Sequence, residues 1–261
     1  MKLKIYQVDA FTDKVFGGNP AAICPLEKWL PDNVMQRIAM ENNLAETAFY
    51  IPEGNGFHIR WFTPKAEVNL CGHATLATAY VLFDVLNYQS NSVSFESRSG
   101  LLTVTKNKNM LTLNFPTDNI QPVEVNDALL KCFDLKPVEI YSGRDDFMFI
   151  YNSQSEVENI KPDFNAIAGF KKRGIIITAK GNDFDLVSRY FAPAFGIKED
   201  PVTGSAHTTL TPYWTKKLGK TELTAMQLSE RKGFLQCKYL DDRVEISGEA
   251  KLYLVGEIFT A

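Results

Sequence analysis

The sequence predicts an α+β chain built as two similar halves, each a set of antiparallel or mixed strands with one prominent helix. Three observations carry this: a length of 261 residues, an internal repeat offset by about half that length, and strands that follow each helix in series. Halves of roughly 130 residues are each long enough to bury a core. The expected domains are 1–116 and 117–261, with the last strand able to return to the first half.

The repeat is direct. Arg60-Trp-Phe-Thr-Pro64 leads through a loop to Cys71-Gly-His-Ala-Thr75 and an apolar run to Phe83. Arg189-Tyr-Phe-Ala-Pro193 leads through a longer loop to Thr203-Gly-Ser-Ala-His207 and an apolar run to Trp214. Arg60 and Arg189 are 129 residues apart and Gly72 and Gly204 are 132 apart, so the second loop carries three more residues. Each copy reads as strand, proline-ended loop, small residues and helix.

The elements follow in order. Strands are expected at Leu3–Ala10, Ala21–Cys24, Thr47–Ile51 and Phe57–Phe62, where residues alternate or run apolar. A helix is expected over Pro31–Met40 from the spacing of Val34 and Ile38, and a longer one over the Ala- and Leu-rich Gly72–Leu86. Val93–Glu96, Leu101–Thr105 and Leu111–Phe115 read as strands, the last two joined by a Lys-Asn-Lys-Asn turn, and Pro116-Thr-Asp-Asn as a linker. The second half repeats the order with strands at Pro137–Tyr141 and Phe147–Tyr151, a weak helix at Asp163–Gly169, and strands at Gly174–Thr178 and Phe184–Phe191. A helix over Gly204–Leu218 and a closing strand series complete it. Strands in series favour antiparallel or mixed pairing over helical crossovers.

Composition excludes several function classes. With 28 Lys+Arg against 31 Asp+Glu there is no basic excess to hold a nucleic-acid backbone, and 45% hydrophobic residues do not suit a disordered chain. No apolar run is long enough for a membrane helix, and the alternating MKLKIYQVDAF start does not read as a signal peptide. Cys24, Cys71, Cys132 and Cys237 stand far apart, and with His58, His73 and His207 they form no zinc-type spacing. The expectation is a cytoplasmic protein with reduced thiols, no metal, and no nucleic-acid or membrane partner.

Both copies place small residues at a helix start, Gly72-His-Ala and Gly204-Ser-Ala. The first N–H groups of a helix lack partners and carry partial positive charge, so such an end can hold a carboxylate. Ordinary helix caps after proline loops are the other reading of the same residues.

Gly18-Asn-Pro20, Glu46-Thr-Ala-Phe49, Arg60-Trp-Phe-Thr-Pro64, Glu67-Val-Asn-Leu-Cys-Gly-His-Ala-Thr75 and Glu199-Asp-Pro-Val-Thr-Gly-Ser-Ala-His207 resemble the signatures of PhzF-like phenazine-biosynthesis isomerases. That family has the diaminopimelate-epimerase-like fold, and the resemblance spans essentially the whole chain. It implies two similar domains, each a sheet wrapped around a central helix, with a cofactor-free site in the cleft between them, and a homodimer. It also implies an isomerase that moves a proton at carbon on a small carboxylate-bearing metabolite, with Glu46 as general acid/base. The alternative on the same fold is a silent small-anion-binding or partner-binding protein.

Glu46 sits among Leu44, Ala45, Ala48 and Phe49, an apolar setting that would raise a carboxyl pKa, although a glutamate on the open face of a strand fits the same residues. Its duplicated position is expected within Ile175-Ile-Ile177, which offers no carboxylate. The resemblance adds His73 and Asp200 as polar site residues, and Asn19, Gly72, Ala74, Gly204 and Ser205 as substrate-binding ones. His73 at a helix N-terminus is expected to be neutral. Asp200 either anchors a substrate amine or hydroxyl or caps the Val202–Ser205 turn, and His207 is expected to be structural. Racemases of this fold that use two thiols place a cysteine before each central helix. Here Cys71 is matched by Thr203, so that mechanism is not expected and Cys71 reads as a small buried residue. Asn69 and Lys232 depart from the family's common Asp and Gly-Gly.

Overall fold

The computed structural model describes residues 1–260. The chain forms two compact units: Met1–Asn114 together with the chain from Ser247 onward, and Phe115–Ile246.

The first unit contains β1 (Lys2–Ala10), β2 (Asn19–Pro25), α1 (Asp32–Asn42), β3 (Glu46–Glu53), β4 (Gly56–Phe62), β5 (Glu67–Val68), α2 (Gly72–Tyr80), β6 (Ser92–Glu96), β7 (Leu102–Asn107) and β8 (Met110–Pro116). The second contains β9 (Gln121–Pro122), α3 (Asp127–Leu130), β10 (Glu139–Ser142), β11 (Asp146–Ile150), α4 (Gln154–Asn159), α5 (Phe164–Ala168), β12 (Gly174–Lys180), β13 (Leu186–Phe191), α6 (His207–Leu218), β14 (Glu222–Gln227), β15 (Gly233–Tyr239) and β16 (Arg243–Gly248). The last strand, β17 (Ala250–Phe259), returns to pair antiparallel with β1.

Pairing repeats between the units. In the first, β1–β2 is antiparallel, β2–β3 parallel, β3–β4 antiparallel, β4–β6 parallel, and β6–β7–β8 antiparallel. In the second, β10–β11 is antiparallel, β11–β12 parallel, β12–β13 antiparallel, β13–β14 parallel and β14–β15 antiparallel. The sheets are therefore mixed. Each parallel pair spans a helix: α1, α2, α4 with α5, or α6. Serial strands weighed against such crossovers, and the structure corrects that weighing. Two strands that flank a helix packed back on its sheet run the same way.

Each helix packs as its sequence dictates. On α1, Met35, Ile38 and Ala39 form one buried stripe against Ile5, Cys24, Phe49 and Phe62. On α2, every residue from Gly72 to Ala79 is buried, which suits a helix enclosed by its sheet. Its small side chains permit close approach. The buried hydroxyls of Thr75 and Thr78 donate to the carbonyls of Cys71 and Ala74, so neither is left unsatisfied. Beyond Tyr80 the expected single helix widens into a π-helical turn over Val81–Val85, where Leu86 N–H donates to Val81 O. The helix expected from Gly204 opens instead as a 3₁₀ turn over Gly204–Ala206, and α6 begins at His207. Pro212 lies inside α6 and brings no N–H for the carbonyl of Thr208, which accepts from Asp118 N–H at 3.2 Å. No helix among the described residues is long and apolar enough to cross a membrane.

A duplicated arginine–glutamate fork closes the loop before each central helix. Arg60 donates to Glu67 through Nε at 2.7 Å and NH2 at 2.8 Å, and its guanidinium lies over Trp29 and Phe62. Arg189 donates to Glu199 through Nε at 2.7 Å and NH2 at 2.9 Å, lies over Phe191, and also donates from NH1 to the carbonyls of Val157 and Ile160. Removing Arg189 leaves a half-buried carboxylate and two carbonyls without their donor. Arg189→Ala is expected to lower stability by about 2–3 kcal/mol, read from urea unfolding; an unchanged midpoint would refute the fork's role.

Candidate active site

Three residues expected to belong to the site, Glu46, His73 and Asn19, lie together in the first unit with Cys71, which was expected only to pack. Glu46 is the first residue of β3, beside Ala21 of β2. His73 is the second residue of α2, Cys71 is the N-cap of that helix, and Asn19 opens β2. Strand and helix starts thus converge from three sequence-distant segments. His73 Nε2 lies 3.3 Å from Glu46 Oε2, while Nδ1 lies 3.4 Å from Asn19 Nδ2 and 3.5 Å from Cys71 Sγ.

Burial sets the electrostatics. His73 is 6% exposed, and loss of solvent pushes its pKa down to about 3. The expectation of a neutral ring holds, but burial, rather than the helix N-terminus, is the cause. The contact with Glu46 is therefore that of a neutral ring with a carboxyl group, not an ion pair. Its alignment falls short of a formed hydrogen bond at Nε2.

Glu46, Cys71 and His73 each offer a metal-ligand atom within 4.8 Å of the others. The two ring nitrogens nevertheless divide their neighbours: Nδ1 meets the thiol and Nε2 the carboxylate. That division suits a chain of hydrogen bonds better than a chelate. The N-cap Cys71 makes no side-chain cap to α2, leaving the helix start without that competitor for a ligand. Ala74 is fully buried inside α2.

In the second unit, Asp200, Thr203, Gly204 and Ser205 form the matching helix start. Thr203 Oγ1 donates to Asp200 Oδ2 at 2.5 Å, so the carboxylate is tied into the turn it precedes. Gln227, at the end of β14, was not foreseen. Its Oε1 accepts from Thr203 N–H at 2.8 Å and its Nε2 donates to Asp200 O at 2.8 Å. Nothing in its sequence neighbourhood marks it. His207 takes the structural role expected of it: fully buried, its Nδ1 lies 3.0 Å from Thr203 O.

The two units differ where Glu46 stands. Ala21 pairs with Glu46 at the start of β2–β3, and Asp146 pairs with Gly174 at the start of β11–β12. The counterpart of Glu46 is therefore Gly174, one residue before the isoleucines expected from the offset. A Cβ on Gly174 would lie 2.6 Å from Tyr190 Oη, which donates to buried Asp146 at 2.9 Å. No side chain fits there.

A mixed sheet around a buried helix, made twice, is the architecture of epimerases and racemases. A hydroxyproline epimerase from Agrobacterium vitis superposes with a TM-score of 0.62 over 98% of this chain and 92% of its own, at 9% identity, a likeness of fold alone. The family model described as phenazine biosynthesis-like protein matches residues 8–256, and the chain belongs to that family. An uncharacterized isomerase of Pseudomonas aeruginosa is 46% identical over 258 residues, 99% of each chain. A crystal structure of a PhzF-family phenazine biosynthesis protein from Enterococcus faecalis superposes with a TM-score of 0.96 at 47% identity, covering 100% of both chains. Family and relatives make the chain an isomerase.

Burial of the two histidines has a consequence in acid. His207 is pushed down to about 4, by burial against weaker support from backbone carbonyls. Each ring is neutral when folded and takes up a proton when unfolded below about pH 6.5, the ordinary value. Their contribution to stability is whole above that pH and falls on acidification, by about 1.4 kcal/mol per pH unit for each ring until its folded pKa is reached. Urea unfolding of His207→Gln against the parent between pH 7 and 4.5 is expected to show a shallower decline in the variant. Parallel curves would contradict it.

Proposed function

We propose that the protein is a cofactor-independent isomerase that transfers a proton at carbon on a small carboxylate-bearing metabolite, with Glu46 as general acid/base. The observation that carries this is the contact of Glu46 with buried His73 at the head of α2, with the imidazole held neutral. In the proposed step, ionised Glu46 takes the proton from carbon and the electron pair moves into the adjoining carboxylate or unsaturated system. Helix N–H groups at Gly72 stabilise the negative charge that develops, a contribution that is usually large. Glu46 then returns its proton to the same or a neighbouring carbon. Neutral His73 serves as a hydrogen-bond partner throughout.

The remaining expected residues keep their assignments on the resemblance. Asp200 anchors a substrate amine or hydroxyl, while Asn19, Ala74, Gly204 and Ser205 contribute to binding. No external group is required, because a carboxylate and backbone donors suffice for a proton transfer.

The experiment is solvent-deuterium incorporation, in D₂O, into a panel of amino acids and cyclic carboxylic acids. The parent protein is expected to label at least one acid, and Glu46→Gln to slow that exchange by at least about 100-fold, the usual scale of general acid–base catalysis. Exchange by Glu46→Gln at the parent rate would remove Glu46 from the mechanism. Thermal stabilisation by an acid that never exchanges would favour a silent binding protein.

A further inference from the structure

We infer that Cys71 is a positioning residue for this isomerase: with the Asn19 amide it occupies Nδ1 of His73 and so keeps the ring's single proton on Nε2, facing Glu46. The inference rests on Glu46 being the acid/base group, and it assigns to the thiol a task beyond packing.

A neutral imidazole has one N–H and one lone pair, and the neighbours of one nitrogen decide which it carries. Nδ1 faces the Asn19 Nδ2 amide group at 3.4 Å and the Cys71 thiol at 3.5 Å. The amide nitrogen can only donate and the thiol carries a hydrogen, so the tautomer that bonds both is the one whose Nδ1 accepts. Nε2 lies 3.3 Å from Glu46 Oε2, so a proton there sits beside the carboxylate and needs only a small turn of either side chain to bond it. The opposite tautomer would set an N–H against the amide hydrogens and a lone pair against a carboxylate. The two ends of the ring thus require the same proton position.

The choice of sulfur fits this role. Cys71 holds the N-cap of α2 with extended backbone, where serine or threonine hydroxyls normally bond the helix's own N–H groups. A thiol is a weak acceptor, and this one makes no side-chain cap. Its Sγ lies 3.5 Å from Nδ1 of the ring two residues on. The second unit has no equivalent: Thr203 turns its hydroxyl to Asp200, and Ser205 stands where the ring would be.

The orientation matters for a single-base proton transfer. An N–H on Nε2 stabilises the ionised Glu46 that removes the proton, and it can follow the carboxyl group as the proton returns. A lone pair there would favour protonated Glu46 and blunt it as a base.

The test reads the tautomer directly. Nitrogen-15 NMR of the histidine rings in the whole protein, with His73 identified through His73→Gln, is expected to show Nε2 protonated and Nδ1 bare near neutral pH. Cys71→Ala is expected to admit the other tautomer, moving both ring nitrogens toward intermediate shifts. It is also expected to slow deuterium exchange about tenfold in kcat, the scale of one lost hydrogen bond, with KM little changed. Cys71→Ser, whose hydroxyl is drawn to the N–H groups of α2, is expected to restore neither readout fully. A parent spectrum with the proton on Nδ1 overturns the inference without any variant. So does a Cys71→Ala spectrum in which His73 is unmoved. The tautomer is read independently of turnover, so a failure of Glu46 as acid/base and a failure of the thiol's role are told apart.

Discussion

The forked ion pair between a strand arginine and a glutamate just ahead of the central helix fixes where the important backbone starts. In each unit the arginine sits on an inner strand, held over aromatic rings, and the glutamate lies four or five residues before the small residues of the helix start. A planar five-donor guanidinium gripping a carboxylate at two points leaves little freedom in distance or angle. The loop between is thereby pinned, and Cys71-Gly72-His73 or Thr203-Gly204-Ser205 is delivered to a defined place. Without it, the loop would be free to carry the imidazole away from Glu46. The three-residue insertion in the second loop is tolerated because Glu199 keeps its own spacing to Gly204, as Glu67 does to Gly72.

Duplication supplied the scaffold twice, but the two copies differ at the start of one strand. In the first unit the start of β3 carries Glu46. At the matching start of β12, Gly174 yields its space to the Tyr190 hydroxyl, which with Arg173 satisfies buried Asp146. One half keeps the Glu46 carboxyl beside the His73 ring. The other converts the same ground into a satisfied, buried polar network, the state in which such groups stiffen a fold.

Much of this was legible in the sequence, for identifiable reasons. Strands with period two, the Val34–Ile38 spacing of α1 and the repeated aromatic-Pro-Gly order survive because they express burial directly. Glu46 and His73 were legible through family signatures, whereas their 3.3 Å approach was not, since it joins a strand to a helix 27 residues on. Short helices α3 and α4 were passed over although Asn126 and Ser153 cap them, because four to six residues carry almost no periodicity. Gln227 and Asp118 were invisible for a different reason. Each satisfies groups far away in sequence, Gln227 at the backbone of Thr203 and the Asp118 carboxylate at Arg144 N–H and the Thr209 hydroxyl, and nothing local distinguishes them from surface polar residues. The one-residue slip between Ile175 and Gly174 shows the same limit. An offset measured on one strand need not hold on its neighbour.

The return of β17 to β1 bears on how the chain assembles as it is made. Residues 115–246 are contiguous and hold their own set of strands, so the second unit is complete in sequence once residue 246 has left the ribosome. The first unit, although synthesised earlier, presents β1 with an open flank until residues 250–259 emerge. Non-local strand pairing of this separation is slow to form and leaves a sheet edge exposed meanwhile. Biosynthesis therefore runs against the usual N-terminal-first order: the half bearing Glu46 and His73 is the last to close.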